Sequence, residues 1–388
     1  MNKYHFDKVI DRRNTYCTQW DYIADRFGRG DLLPFTISDM DFAAPPQIIE
    51  ALEKRMSHPV FGYSRWNHAE FRDTITSWYK RRYQCAVDGA TVIYSPAVLF
   101  SITLLLELLT QPGDGVIIQN PAYDAFFRLI PANGCRVVIN NLLYQQGEYQ
   151  LDYDDLECCA KNARVLVWCN PHNPTGRVWT VEETQRVIDI CRRNNVKIIS
   201  DEIHSDIVYA PNKFVSLANY PSDDVFVVTS ASKTINIPGL QGSYGFIWNA
   251  DIRDKFLDLL KNKYAVSCPS LFGMYGIIAA YRDCDDWLAE LVGYLAGNMD
   301  YIAQFITSNN LPIDFRKPEG TYLAWLDCSR LKLDDAVLQA QLINVGKVAI
   351  MSGANYGMTG FLRLNAGCPR AKLTDGLQRL KKSIKGEL

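Results

Sequence analysis

Lys233 lies just past an apolar run in "VFVVTSASKTINIPG" (residues 225–239), among Ser230 and Ser232 and with no acidic neighbour in the chain. An arbitrary lysine at a loop start is solvated, so its meaning depends on what ends the other apolar runs. After "GVIIQ" from Gly115 come Asn120, Pro121 and the Tyr123 of "AYDAF"; after "RVLVWC" from Arg164 comes the Asn173 of "NPHNPTG". After "VKIIS" from Val196 comes the Asp201 of "DEIH". Singly these are a turn amide, a helix cap and a core aromatic. Together they offer an amine able to form an imine and a carboxylate able to keep a ring nitrogen protonated, with an amide for a phenolate and an aromatic plate for stacking. Those are the needs of pyridoxal phosphate.

A phosphate also needs a cradle. In "YSPAVLFSITLLLELL" Ser95 is expected to cap an apolar helix with Pro96 at its first position, leaving backbone N–H groups and the positive dipole end for an anion. Ser230 and Ser232 add hydroxyl donors beside Lys233. No phosphate-loop or strand-linked dinucleotide motif competes for this role.

The elements that must position these residues are legible as short apolar runs alternating with helical patterns over residues 90–250. The runs start at Gly115, Cys135, Arg164, Val196, Val225 and Tyr244, and their continuous hydrophobicity fits strands covered on both faces of a mostly parallel α/β sheet. Between two of them "TVEETQRVIDICRRNN" opens with Thr180 three residues before Glu183, a capping box. Ligands of such sheets bind beyond the carboxyl ends of the strands, where the residues above lie. From residue 285 a long amphipathic helix, short strands ("TYLAWLD", "KVAIM", "GFLRLN") and a basic terminal helix suggest a smaller α+β domain, on which the first 45 or so residues are expected to pack.

Composition narrows the partners. The 388 residues are 48% hydrophobic and 22% charged with a formal net charge of -2, which gives no electrostatic case for nucleic acid or a membrane surface and leaves small molecules. The start "MNKYHFDKVIDRR" lacks a secretory apolar core, and "AVLFSITLLLELL" from Ala97 is too short to span a bilayer and carries Glu107. Eleven scattered cysteines without a C-x-x-C pair read as reduced and structural in a cytoplasmic protein, and the five histidines show no metal-ligand spacing. The terminal KGEL only faintly resembles a retention signal.

"NPHNPTG", "SDEIH", "SASKTINIPG" and "FLRLNAG", in this order and spacing, resemble a fold-type I pyridoxal-phosphate enzyme of the class I/II aminotransferase superfamily over essentially the whole chain. "ISDMDF", "FGYSRW", "NPAYDAF" and "SDEIH" are similar to its cystathionine β-lyase group of C–S lyases. The resemblance implies a seven-stranded, mostly parallel sheet in a large domain (47–285), a small C-terminal domain (286–388) and an N-terminal segment (1–46) packing on the latter. It implies Lys233 as the Schiff-base lysine, Asp201 as the pyridinium partner, Asn173 as donor to the phenolate oxygen and Tyr123 as the stacking ring. Ala97 and Val98 would offer amides to the phosphate, with Ser230 and Ser232, and Tyr63 would reach the neighbouring subunit's phosphate in a homodimer with shared active sites. Arg363 would clamp the substrate α-carboxylate, and the distal substrate would meet Asp39, Trp66 or "SGANYG".

Two positions depart from the aminotransferase pattern: His204 stands where a tyrosine is common, read equally as cofactor contact or packing residue, and Gln241 where a phosphate-binding arginine is common. The implied reaction is β-elimination from a sulfur amino acid, cystathionine giving homocysteine, pyruvate and ammonia. The rivals are an aminotransferase and, because the lyase group includes a modulator of a maltose regulon, a regulatory protein contacting a transcription activator.

Overall fold

The structure, a computed structural model, describes residues 3–385. The KGEL motif, apart from Lys385, lies outside them. Among the described residues thirteen strands follow in chain order: Leu33–Phe35 (β1), Val92–Ser95 (β2), Gly115–Asn120 (β3), Arg136–Asn141 (β4), Leu143–Gln145 (β5), Glu148–Gln150 (β6), Val165–Cys169 (β7), Lys197–Asp201 (β8), Val225–Thr229 (β9), Ser243–Ile247 (β10), Leu323–Asp327 (β11), Val348–Ser352 (β12) and Phe361–Asn365 (β13).

A seven-stranded sheet has the order β2-β10-β9-β8-β7-β3-β4. Every neighbouring pair is parallel except those made by β10, which runs against both β2 and β9. The continuous apolar runs have the expected cause: β7 and β9 are buried at every position because helices cover both faces. β2 is the strand not anticipated from the sequence. Its four residues are all buried, but so short a run next to an apolar helix has no separate signature.

That helix, Val98–Leu109, keeps Ile102, Leu104, Leu105 and Leu106 out of solvent altogether, and each such side chain contributes about 1.5–3 kcal/mol. Its start corrects the sequence expectation. Ala97 is the N-cap and no side chain caps it, because Ser95 ends β2 with its hydroxyl turned inward, donating to the Ala97 carbonyl at 2.8 Å beside the hydroxyls of Ser101 and Ser243. The helix Val181–Arg193 does have its capping box: Thr180 Oγ1 accepts from the Glu183 amide and Glu183 Oε2 from the Thr180 amide.

The second sheet has the order β1-β12-β13-β11. β1 joins it in parallel, Leu33 opposite Val348, so the amino-terminal segment supplies an edge strand to a sheet built otherwise from the end of the chain. The helices Asp285–Ser308 and Arg370–Lys385 pack on each other. Among the described residues no helix is long and apolar enough to cross a membrane.

Candidate active site

The carboxyl ends of β7, β8 and β9 lie side by side, Cys169 opposite Asp201 and Asp201 opposite Val228. Because β10 runs the other way, its amino end reaches the same edge and brings in Gln241 and Gly242. The helix Leu271–Asp283 closes on that turn: a Cβ on Gly273 would collide with the Gln241 carbonyl, so only glycine permits this approach.

Over the edge lies a cavity of about 430 Å³ lined by Ala97, Val98, Tyr123, Asn173, Asp201, His204, Ser230, Ser232, Lys233 and Gln241, with Ser38, Cys169 and Pro238 added by the structure. Lys233 Nζ donates to the Ser38 carbonyl at 2.6 Å, which also accepts from Tyr322 Oη at 2.8 Å. Burial outweighs the attraction of Asp39 and Asp201 and lowers the Lys233 ammonium to about 8. Asp201 is buried, accepts from the Ile203 amide at 3.2 Å, and is raised by burial to about 6. His204, buried against Tyr322, is held neutral, its pKa lowered by burial to about 3, and its Nδ1 has no partner.

Behind the cavity Arg363, 3% exposed, donates from Nη1 to Asn173 Oδ1 at 3.1 Å and from Nη2 to the Thr36 carbonyl at 2.8 Å. Its cation lies over the Tyr356 ring and its buried Nε has no partner. Since Oδ1 of Asn173 is taken, its amide nitrogen is the group left to donate. Tyr123 packs edge-on against Phe126 and presents a largely buried ring to the cavity.

Other expected residues sit elsewhere or are differently engaged. Ser230 lines the cavity, yet its hydroxyl donates to the Gly242 carbonyl at 2.7 Å and accepts from the Ser232 amide. Trp66 is not at the cavity; it packs on Tyr94 under the Arg72 guanidinium. Asp39 lines an adjoining cleft and pairs with Arg12 at 2.6 Å. Tyr63 is 99% exposed and away from the cavity of its own chain. Sequence reasoning missed Ser38 and Thr36, which act through carbonyls that every residue carries, and Tyr322, whose strand "TYLAWLD" was legible only as a strand.

The residues fit pyridoxal phosphate. The uncapped first turn at Val98 suits a phosphate, and the buried Asp201, bonded only to the Ile203 amide, is suited to face a protonated ring nitrogen. The unpartnered Arg363 Nε and His204 Nδ1 are buried polar atoms awaiting partners.

Residues 30–380 match the family of class I and II aminotransferases. The chain belongs to that family. It is 44% identical over 386 residues to Protein MalY of Escherichia coli strain K12, covering 98% of this chain and 99% of that one. It is 36% identical over 387 residues to the cystathionine β-lyase PatB of Bacillus subtilis strain 168, covering 98% and 100%. Among solved structures it resembles cystalysin from Treponema denticola, which contains a pyridoxal 5'-phosphate cofactor, with a TM-score of 0.94 at 30% identity and 99% of each chain covered.

Proposed function

We propose that the protein is a pyridoxal-phosphate-dependent carbon–sulfur β-lyase that cleaves cystathionine, and cysteine or related thioethers, to a thiol, pyruvate and ammonia. The observation that carries it is the placement of Lys233, Asp201 and Asn173 around one cavity, with Arg363 bonded to Asn173, in a chain similar over nearly all its length to a cystathionine β-lyase. When bound, pyridoxal phosphate supplies an electron sink for the carbanion at Cα.

The chain's own residues do the rest. Arg363 orients the substrate through its α-carboxylate, for which its unpartnered Nε is available. Lys233, with its ammonium lowered to about 8, holds a useful fraction of neutral amine near neutral pH and takes the Cα proton. Asp201 keeps a proton on the ring nitrogen, while Asn173 donates to the phenolate oxygen. The Cα–H and Cβ–S bonds break and a Cα–Cβ double bond forms. The thiolate leaves, taking up a proton, and water hydrolyses the released 2-aminoacrylate to pyruvate and ammonia.

Homodimerisation belongs to the same reading. Tyr63 stands 99% exposed beside the exposed Val60 and Phe61, an apolar surface that a second copy would cover.

The purified protein is assayed with cystathionine and no keto acid. Stoichiometric pyruvate and free thiol are expected; transfer of the amino group only when a keto acid is added would establish the aminotransferase instead. Lys233→Ala should abolish turnover while sparing any contact with a transcription activator, which separates the regulatory reading.

A further inference from the structure

Asp206 does not line the cavity, takes no part in the chemistry above, and is nevertheless a carboxylate only 2% exposed. It lies on the segment that starts at Asp201 and includes His204, so the same short stretch faces the cavity through those two residues and the interior through Asp206. Its Oδ1 accepts from Tyr83 Oη, at the end of the helix Ala69–Tyr83, and stands 3.6 Å from the Arg82 guanidinium. Its Oδ2 accepts from Thr234 Oγ1 at 2.8 Å. Thr234, 1% exposed, is the residue after Lys233.

Two residues after Thr234, Asn236 donates to the Met40 and Phe42 carbonyls and accepts from the Met40 amide. Lys233 is therefore followed closely by two tethered residues, Thr234 and Asn236. The Asn236 tether reaches only the amino-terminal segment. The Thr234 tether runs to the segment that carries Asp201, the other group that acts on the cofactor.

We propose that Asp206 is a positioning residue for Lys233: through Thr234 it fixes the lysine's backbone relative to Asp201, so that Nζ meets the Cα proton in one geometry. The inference rests on Lys233 being the cofactor lysine. A buried carboxylate suits this task because its acceptors are costly to leave empty, so it holds Thr234, Tyr83 and Arg82 together.

Replacing Asp206 itself strips partners from Tyr83 and Arg82 as well, so the test uses the smaller change. Thr234→Val removes one hydroxyl at nearly constant volume, and Thr234→Ser restores it. Holoenzymes are compared by pH titration of the visible band of the lysine-bound cofactor and by kcat and KM with substrate protonated or deuterated at Cα. In Thr234→Val the titration midpoint is expected to move by about half a pH unit or more. kcat should fall about tenfold or more, with KM within about twofold and a larger deuterium effect, as a misplaced base requires; Thr234→Ser should return all of these. A folded, cofactor-loaded Thr234→Val with wild-type titration and kcat overturns the inference, as does a loss that Thr234→Ser fails to restore. A wild-type protein lacking a borohydride-sensitive visible band would instead sink the reading of Lys233 on which it rests.

Discussion

Arg363 and Asn173 meet across 3.1 Å with both side chains buried, so a residue of β13 in the small sheet is coupled to the loop after β7 in the large one. The guanidinium has three contacts, to Asn173, the Thr36 carbonyl and the Tyr356 face, and leaves Nε without a partner. Truncation to Arg363→Ala is expected to lower kcat/KM about 10–150-fold, the range of a lost charge-assisted hydrogen bond, with the cofactor band retained. Steady-state kinetics with an absorption spectrum check it, and an unchanged KM would remove Arg363 from substrate binding.

The Asp201 carboxyl sets a pH window. Burial raises it from 3.8 to about 6, so between those values the folded cofactor-free protein holds a proton that the unfolded chain has lost. The corresponding stability is complete below about pH 4 and is lost as the pH rises through 6. Relative to Asp201→Asn, cofactor-free wild type should lose on the order of 3 kcal/mol between pH 4 and 7 in urea unfolding. Adding the cofactor should erase that difference, because a cationic ring nitrogen favours the carboxylate.

Lys233 gives the opposite slope. Its ammonium is lowered by burial from 10.5 to about 8, so the folded state sheds its proton first and stability rises with pH between these values. The rate at which cofactor-free protein captures pyridoxal phosphate should climb through about pH 8 as neutral amine accumulates. A pH-independent capture rate over that range would contradict the burial of this group.

Gln241 lines the cavity as an uncharged residue close to the start of the helix Val98–Leu109. Gln241→Arg should slow loss of the cofactor on dialysis, with about tenfold or greater tightening for one added charge-assisted contact. Its backbone φ of 55° strains either side chain alike, so the comparison isolates the charge.

Tyr63 is exposed and does not line the cavity of its own chain, which makes shared sites testable by mixing. Tyr63→Ala and Lys233→Ala proteins, each impaired, should on subunit exchange recover about a quarter of wild-type sites, since half the dimers are mixed and each carries one intact site. No recovery would show that Tyr63 serves no neighbouring subunit.

Much of the sheet is legible in the sequence because strands covered on both faces carry continuous apolar runs, as β3, β7, β8 and β9 do at Val116–Ile118, Val165–Cys169, Ile198–Ile199 and Val225–Val228. Thr180 and Glu183 mark a helix start because both halves of the capping box are side chains. Ser95 misleads for the converse reason: a serine and a proline before an apolar run look like a cap, whereas neighbouring hydroxyls on Ser101 and Ser243 claim the serine inside the fold. The Asn173–Arg363 contact, and the carbonyls of Ser38 and Thr36 that receive Lys233 and Arg363, depend on four segments far apart in the chain. No local pattern records them.

β1 pairs with β12, residues near one end of the chain with residues near the other. A ribosome releases Leu33–Phe35 long before Val348–Ile350 exists, so this strand waits with its backbone groups unpaired while the large sheet is made. The lysine's contact at Ser38 and the arginine's at Thr36 lie just beyond it. The carbonyls that receive Lys233 and Arg363 are therefore anchored to a strand whose partner is made only near the end of synthesis.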